Sequence, residues 1–149
     1  MSTVLIHRRT LIGRGLGLGL SLVGAAAFAD DVPAALAVRA REVVQAQLDA
    51  FAADDARRAF LLASPGARRS LGSPDNFINL VRKRYAVVYR PASVTFLKPQ
   101  LIDGAVVLGV QMTDINGAGW LATYTLERQS DGLFLIGGCE LVENEGRYT

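Results

Sequence analysis

The sequence predicts an α+β domain in which about three amino-terminal helices pack on a curved, four-stranded antiparallel sheet, and two observations carry the prediction. Apolar residues recur at three- and four-residue steps as far as Tyr85, then at every second residue beyond Pro91, which marks a passage from helices to strands. Near the carboxyl end Gly137-Gly138 separates two apolar sets that are out of phase, Phe134 with Ile136 and Cys139 with Leu141. An extra residue there is absorbed as a β-bulge and bends the sheet. Helices laid on the concave face of a bent sheet leave a conical space between the layers.

The segment Met1 to Ala29 stands apart from this domain. It begins with a basic stretch ending in Arg8-Arg9, continues through a Gly-rich apolar run from Gly15 to Phe28, and ends in Ala27-Phe28-Ala29. That is the layout of a removable signal peptide, and the small side chains of Ala27 and Ala29 place the cleavage after Ala29. The apolar run spans roughly 14 residues, short of the roughly 20 that a bilayer-crossing helix needs. Arg8-Arg9-Thr10-Leu11-Ile12 resembles the twin-arginine export motif, and Gly13, Gly15, Gly17 and Gly19 give the weak hydrophobicity typical of such signals. The general secretory route is the alternative. The expected partners are therefore the twin-arginine translocase and signal peptidase, the expected location is the periplasm, and the mature form, residues 30–149, carries no stable membrane anchor.

In the mature chain, Leu36, Ala40, Val43, Val44, Leu48 and Phe51 form one apolar stripe, and Pro33 suits the first turn of the helix that carries it. Asp54 or Asp55 is placed to cap a second, short helix through Phe60 and Leu62. Ser64-Pro65-Gly66 ends that helix, and Arg68 to Gly72 reads as a mobile connection. Ser73-Pro74 starts a third helix with Phe77, Leu80, Val81, Arg84 and Tyr85 along one side. Strands follow at Val94 and Phe96, at Val106 to Met112, at Trp120 to Leu126, and from Phe134 onward. Asn116-Gly117 and Ser130-Asp131-Gly132 supply the turns.

Charge and composition exclude several functions. The chain carries 16 basic and 14 acidic residues, but Arg8, Arg9 and Arg14 lie in the signal, so the mature domain is slightly acidic and its chemistry gives no reason to expect nucleic acid as a partner. The clusters Arg57-Arg58, Arg68-Arg69 and Arg82-Lys83-Arg84 have Asp54, Asp55 and Asp75 near them in sequence and read as solvated helix faces. Cys139 is the only cysteine and His7 the only histidine, the latter within the signal. A mature chain so composed has no Ser-His-Asp or Cys-His arrangement, no thiolate metal site and no disulfide within the chain. No metal and no cofactor are expected. Cys139, set among Leu135, Ile136, Leu141 and Val142, reads as a buried packing residue.

Gln47-Leu48-Asp49-Ala50-Phe51, Asp54-Asp55, Ala59-Phe60, Ala63-Ser64-Pro65, Tyr89-Arg90-Pro91, Trp120 with Tyr124, Leu126 and Gln129, and Gly138-Cys139 together resemble the bacterial family called domain of unknown function 4864. The resemblance runs from about Val43 to Leu141. It departs at Val87, where proline is common, and at Phe134, where tryptophan is common, and both changes keep apolar bulk. It implies the nuclear transport factor 2-like (cystatin-like) superfamily, whose cone of helices and curved sheet agrees with the plan derived from periodicity. That superfamily includes ketosteroid isomerase, dehydratases, polyketide cyclases and non-catalytic binding or dimerising domains, so the fold does not select a function.

Without imidazole or paired thiols, the chemistry left is that of carboxylates and phenols, in which a buried Asp moves a proton and a Tyr hydroxyl steadies an oxyanion. Gln47 falls on the apolar side of the first helix, and Tyr124 shares a strand face with Trp120 and Leu126. Polar groups on inward stripes must find partners, so these residues point into the cone. The candidate pocket set is Gln47, Phe51, Tyr85, Trp120, Tyr124 and Cys139. Plain packing and a backbone hydrogen bond for Gln47 are the bland alternatives. Asp54 and Asp55 read as caps and Asp114 as a turn residue. Two functions follow. One is a non-enzymatic domain for a small apolar ligand or partner protein, paired as a homodimer through the open sheet face. The other is a cofactor-free isomerase, dehydratase or cyclase using an Asp and a Tyr, which requires a carboxylate inside the pocket.

Overall fold

The computed structural model describes residues 30–144; the expected signal segment and its cleavage site lie outside them. After a two-residue strand, β1 (Asp30–Asp31), the chain enters α1 (Ala34–Ala52), whose N-cap position is held by Pro33. The stripe seen in the sequence is the buried side of this helix, with Ala40, Val44, Leu48 and Phe51 in the core. Ala53 and Asp54 then reverse the chain, Asp54 adopting φ 53°. This left-handed conformation is one that Asp tolerates better than most residues.

Asp55, not Asp54, caps α2 (Ala56–Leu61), its carboxylate accepting from Arg58 N at 3.1 Å. The stretch expected to be a mobile connection is instead a helix, α3 (Pro65–Leu71), capped by the Ser64 hydroxyl, which accepts from Ala67 N at 3.3 Å. Ser64-Pro65 thus does what Ser73-Pro74 does for α4 (Pro74–Arg84), where Ser73 accepts from Asn76 N at 3.1 Å. A serine in extended conformation followed by proline starts a helix, because proline at the first turn gives up only an N–H that has no partner there. A short α5 (Ala86–Tyr89) completes the set, so the described residues hold five helices rather than three. The two additional ones, α3 and α5, escape a period-based reading because each spans two turns or fewer.

The open antiparallel sheet comprises β2 (Ser93–Phe96), β3 (Gln100–Ile102), β4 (Ala105–Thr113), β5 (Gly119–Arg128) and β6 (Phe134–Glu143), with β1 added along β3. The four expected strands are β2, β4, β5 and β6. Both β2 and β3 lie on the same side of β4, at Val110–Thr113 and Ala105–Val107 respectively. Pro99 stands just before β3, and having no N–H to donate it suits the break between the two. The β3–β4 turn has a signature in the sequence as well: Asp103-Gly104, with φ 50° and 78°, is the pair that a tight hairpin favours.

The bulge lies where the glycines place it. Thr125 pairs with Gly138 but Leu126 pairs with Ile136, which leaves Gly137 as the extra residue and returns Cys139 and Leu141 to the same face as Phe134 and Ile136. On that face Val106, Leu108, Val110 and Met112 of β4 and Ala122, Tyr124 and Leu126 of β5 meet the buried sides of α1, α4 and α5. Phe51 and Phe77 pack edge to face at the helical side of this core, their ring centres 5.4 Å apart.

Candidate functional site

Inside the cone, α1, α3, α4 and the bulged part of β6 enclose a cavity of about 40 Å³ that is open on one side. Five of the six candidate pocket residues, Gln47, Phe51, Tyr85, Tyr124 and Cys139, lie on its wall. Trp120 does not. It shares the face of β5 with Tyr124 but sits four residues nearer the β4–β5 turn, where its Nε1 donates to Asp114 Oδ2 at 3.0 Å. Periodicity gives the face of a strand, not how far along it the cavity extends. The rest of the wall is apolar, including Ala63 and Ala67, and both belong to the stretch around α3 that periodicity alone leaves unassigned. The signal that finds them is the Ser64-Pro65 helix start.

Gln47, only 4% exposed, donates its Nε2 to Ala59 O at 3.1 Å, so one amide function ties α1 to α2. The Tyr124 hydroxyl is enclosed and has no geometrically well-formed hydrogen bond to any described residue. Directly across the strand pair stands Cys139, whose thiol lies close enough to the phenol for each to shift the other's titration. Burial pushes the Cys139 thiol up to about 12 and is opposed by its interaction with Tyr124. Burial likewise holds Tyr124 well above the ordinary phenol value. Cys139 keeps partial exposure as a residue, and a thiol raised by burial carries little thiolate at neutral pH.

Among the described residues no carboxylate lines this cavity. From Asp31 to Glu143 every Asp and Glu is exposed except Asp114, which is half-buried. Asp114 accepts from Asn116 N, Ala118 N and Trp120 Nε1, and these bonds, that from Trp120 foremost, hold its pKa below the usual value. An acid–base carboxylate needs the opposite, a pKa raised toward neutrality. Among the described residues, the Asp–Tyr pair required by the isomerase, dehydratase or cyclase reading is therefore not assembled at the cavity wall. No cluster of three potential metal ligands occurs among the described residues, and none of their helices is long and apolar enough to cross a membrane.

A second polar constellation has no counterpart in the sequence-based expectations. Asp54, expected to be a cap, instead accepts from the Tyr89 hydroxyl and from Arg90 Nη2 at 3.3 Å, with Arg82 3.6 Å away. Arg90 also donates Nη1 to Phe51 O at 2.8 Å, satisfying a carbonyl at the end of α1. Both guanidinium groups lie against the Tyr89 ring, at 4.3 Å for Arg90 and 5.3 Å for Arg82. The Tyr89 hydrogen bond, and secondarily the two arginines, depress the Asp54 pKa. The cluster ties the end of α1 to α4 and α5 on the surface, away from the cavity.

A family model described as Domain of unknown function (DUF4864) matches residues 33–149. No curated protein matches the chain. Among solved structures, Aln2 from a Streptomyces species is 17% identical with a TM-score of 0.50, the match covering 76% of this chain and 94% of Aln2. A protein from Catenulispora Acidiphila is 16% identical with a TM-score of 0.49, over 72% of this chain and 91% of its own. At such identity the likeness to Aln2 is one of fold alone.

Proposed function

The chain belongs to the DUF4864 family, and on that premise we propose that it is a non-enzymatic, nuclear transport factor 2-like domain that binds a small apolar ligand in its cone. The observation that carries this reading is the cavity itself: a space of about 40 Å³, open on one side and walled mainly by apolar side chains, with no charged group among the described residues that line it. A packed interior keeps few voids larger than a water molecule, so an apolar space with an opening suits an occupant. The absence of any carboxylate from the wall favours binding over proton-transfer chemistry. Met1 to Ala29 acts as a twin-arginine signal, the translocase and signal peptidase are its partners in export, and the mature domain works in the periplasm.

Two copies associate through the sheet face turned away from the helices, where Val107, Leu121 and Leu135 are only half covered. The deciding experiment is native mass spectrometry of the protein recovered from its own host, with the denatured mass of the same sample. The reading expects a chain starting near Asp30, a dimer, and extra mass that disappears when Ala67→Phe fills the cavity. A ligand-free protein in both forms overturns the binding reading, and an uncut chain overturns the export reading.

A further inference from the structure

Trp120, the candidate pocket residue that the cone cavity leaves out, stands on the wall of a second and larger groove, of about 390 Å³, between the end of α4, α5 and the β4–β5 turn. That volume falls in the range of ordinary ligand clefts. Val87 and Leu141 give the groove an apolar floor beside the indole, and Ile115, 86% exposed in the turn, adds an aliphatic side chain that stands almost bare to solvent.

The charges on the wall are unequal. Lys83, Arg84 and Arg90 line the groove against a single acid, Asp114. Arg90 is committed to Asp54 and to Phe51 O, and both Asp114 oxygens are engaged by the N–H groups of its own turn and by Trp120 Nε1. Lys83 and Arg84 take part in none of the ion pairs or side-chain hydrogen bonds among the described residues. A cation in the last turn of a helix is favoured by the helix dipole wherever it stands, so charge alone calls for no ligand. An apolar floor beside two uncompensated cations does, because it offers both halves of an amphiphile their own surface.

We propose that this groove binds an amphiphilic carboxylate, with its hydrocarbon body on Val87, Trp120 and Leu141 and its anionic head in the field of Lys83 and Arg84. A neutral amphiphile gains the apolar contact alone, and a cationic one meets repulsion. The site is separate from the cone cavity and does not depend on the ligand reading given to it.

Trp120 is the only tryptophan of the chain, so its fluorescence reports occupancy of this groove. Octanoate, octanol and octylammonium, three probes with the same hydrocarbon chain, are titrated into the purified protein at pH 7. Octanoate is expected to give a saturable change and to bind about fivefold more tightly than octanol, the scale of one exposed ion pair, with octylammonium the weakest. Raising the salt concentration narrows the difference. The double variant Lys83→Gln/Arg84→Gln is expected to bring octanoate down to octanol while octanol is unaffected, and Lys83→Glu alone serves if the double variant fails to fold. Ala67→Phe, which fills the cone cavity, leaves all three unchanged. Octanoate binding no tighter than octanol, or an advantage that survives loss of both cations, overturns the proposal, as does the absence of a saturable change with any probe. Loss of octanoate binding in Ala67→Phe overturns it as well and assigns the probe to the cone.

Discussion

Tyr89 donates its hydroxyl to Asp54, joining the turn after α1 to the end of the helical layer 35 residues later. Two helices that are remote in sequence are thereby closed at one surface point, with Arg82 and Arg90 drawn to the same carboxylate. Because the bond is made to the charged form, folding lowers the Asp54 pKa, so below about pH 4 the unfolded chain binds more protons at this site than the folded one. The stabilisation is present above the unfolded pKa and is lost as pH falls through the folded one. Asp54→Asn keeps a residue that tolerates positive φ and removes only the charge. Its melting temperature is expected below wild type at pH 7, with the gap closing as pH falls below about 4 and the wild-type carboxylate takes up its proton. A gap independent of pH would mean that the charge of Asp54 plays no part.

Cys139 titrates in the opposite sense. Its thiol is raised to about 12, whereas an unfolded cysteine ionises near about 8.5. Between those values the unfolded state has released a proton that the folded state keeps, so stability falls as pH rises above about 8.5. In the native protein at pH 8, alkylation by iodoacetamide is expected on the order of a thousandfold slower than for a free thiol, the ratio of the thiolate fractions. Denaturant restores the ordinary rate. Rapid labelling of the folded protein would show that the thiol is solvated.

The two titrating groups also show how far sequence reasoning reaches. The immediate neighbours of Cys139 place it in the interior, and the out-of-phase sets on either side of Gly137 locate the bulge, because both signals are local and periodic. The same periodicities bring Gln47 and Tyr124 to the cone. Trp120 is assigned to the right face but the wrong depth, since alternation has no information about position along the strand. Asp54 escapes because its partners, Arg82, Tyr89 and Arg90, lie far along the chain. A cap is a local bond and leaves a local signature; a surface ion cluster is assembled only by the packed helices. The helix α3 escapes for a different reason, its seven residues being too few to display a period while its Ser-Pro start resembles a stop.

Ser64 gives that start a measurable weight. It is 1% exposed, accepts from Ala67 N, and through its own N–H bond to Ile136 O at 2.8 Å it joins α3 to β6. Ser64→Ala removes only the cap, at an expected cost of about 1 kcal/mol, read as a shift in the urea midpoint with an unchanged slope. Since Ala67 stands on the cavity wall, ligand affinity is expected to fall in the same variant. A neutral substitution would mean that Pro65 and tertiary packing suffice to hold the helix.

Tyr124→Phe is expected to move stability the other way. The hydroxyl is enclosed and unpartnered, so the native state bears the desolvation of a polar group without a compensating bond, and replacing it with hydrogen is expected to stabilise the ligand-free protein by about 1 kcal/mol. The ring, which accounts for the packing, is retained. Loss of stability would instead show that the hydroxyl makes a bond in solution, with the Cys139 sulfur the nearest candidate by strand pairing.

The bulge supplies a paired test. Neither Gly137 nor Gly138 has a positive φ, so neither is demanded by backbone conformation. What differs is space. A Cβ on Gly137 would stand 2.6 Å from Glu127 Cδ, whereas one on Gly138 meets nothing within 4 Å. Gly138→Ala is therefore expected to be near neutral. Gly137→Ala forces the Glu127 side chain out of its place over the bulge, at an expected cost of about 1 kcal/mol, the lower end for overpacking because the obstructing group is flexible and exposed. The double variant Gly137→Ala/Glu127→Ala is expected to recover most of that loss, a coupling that chemical denaturation of the four proteins measures directly. Equal losses at both glycines would contradict a steric cause, and would mean instead that the bend of β6 depends on glycine flexibility at each position.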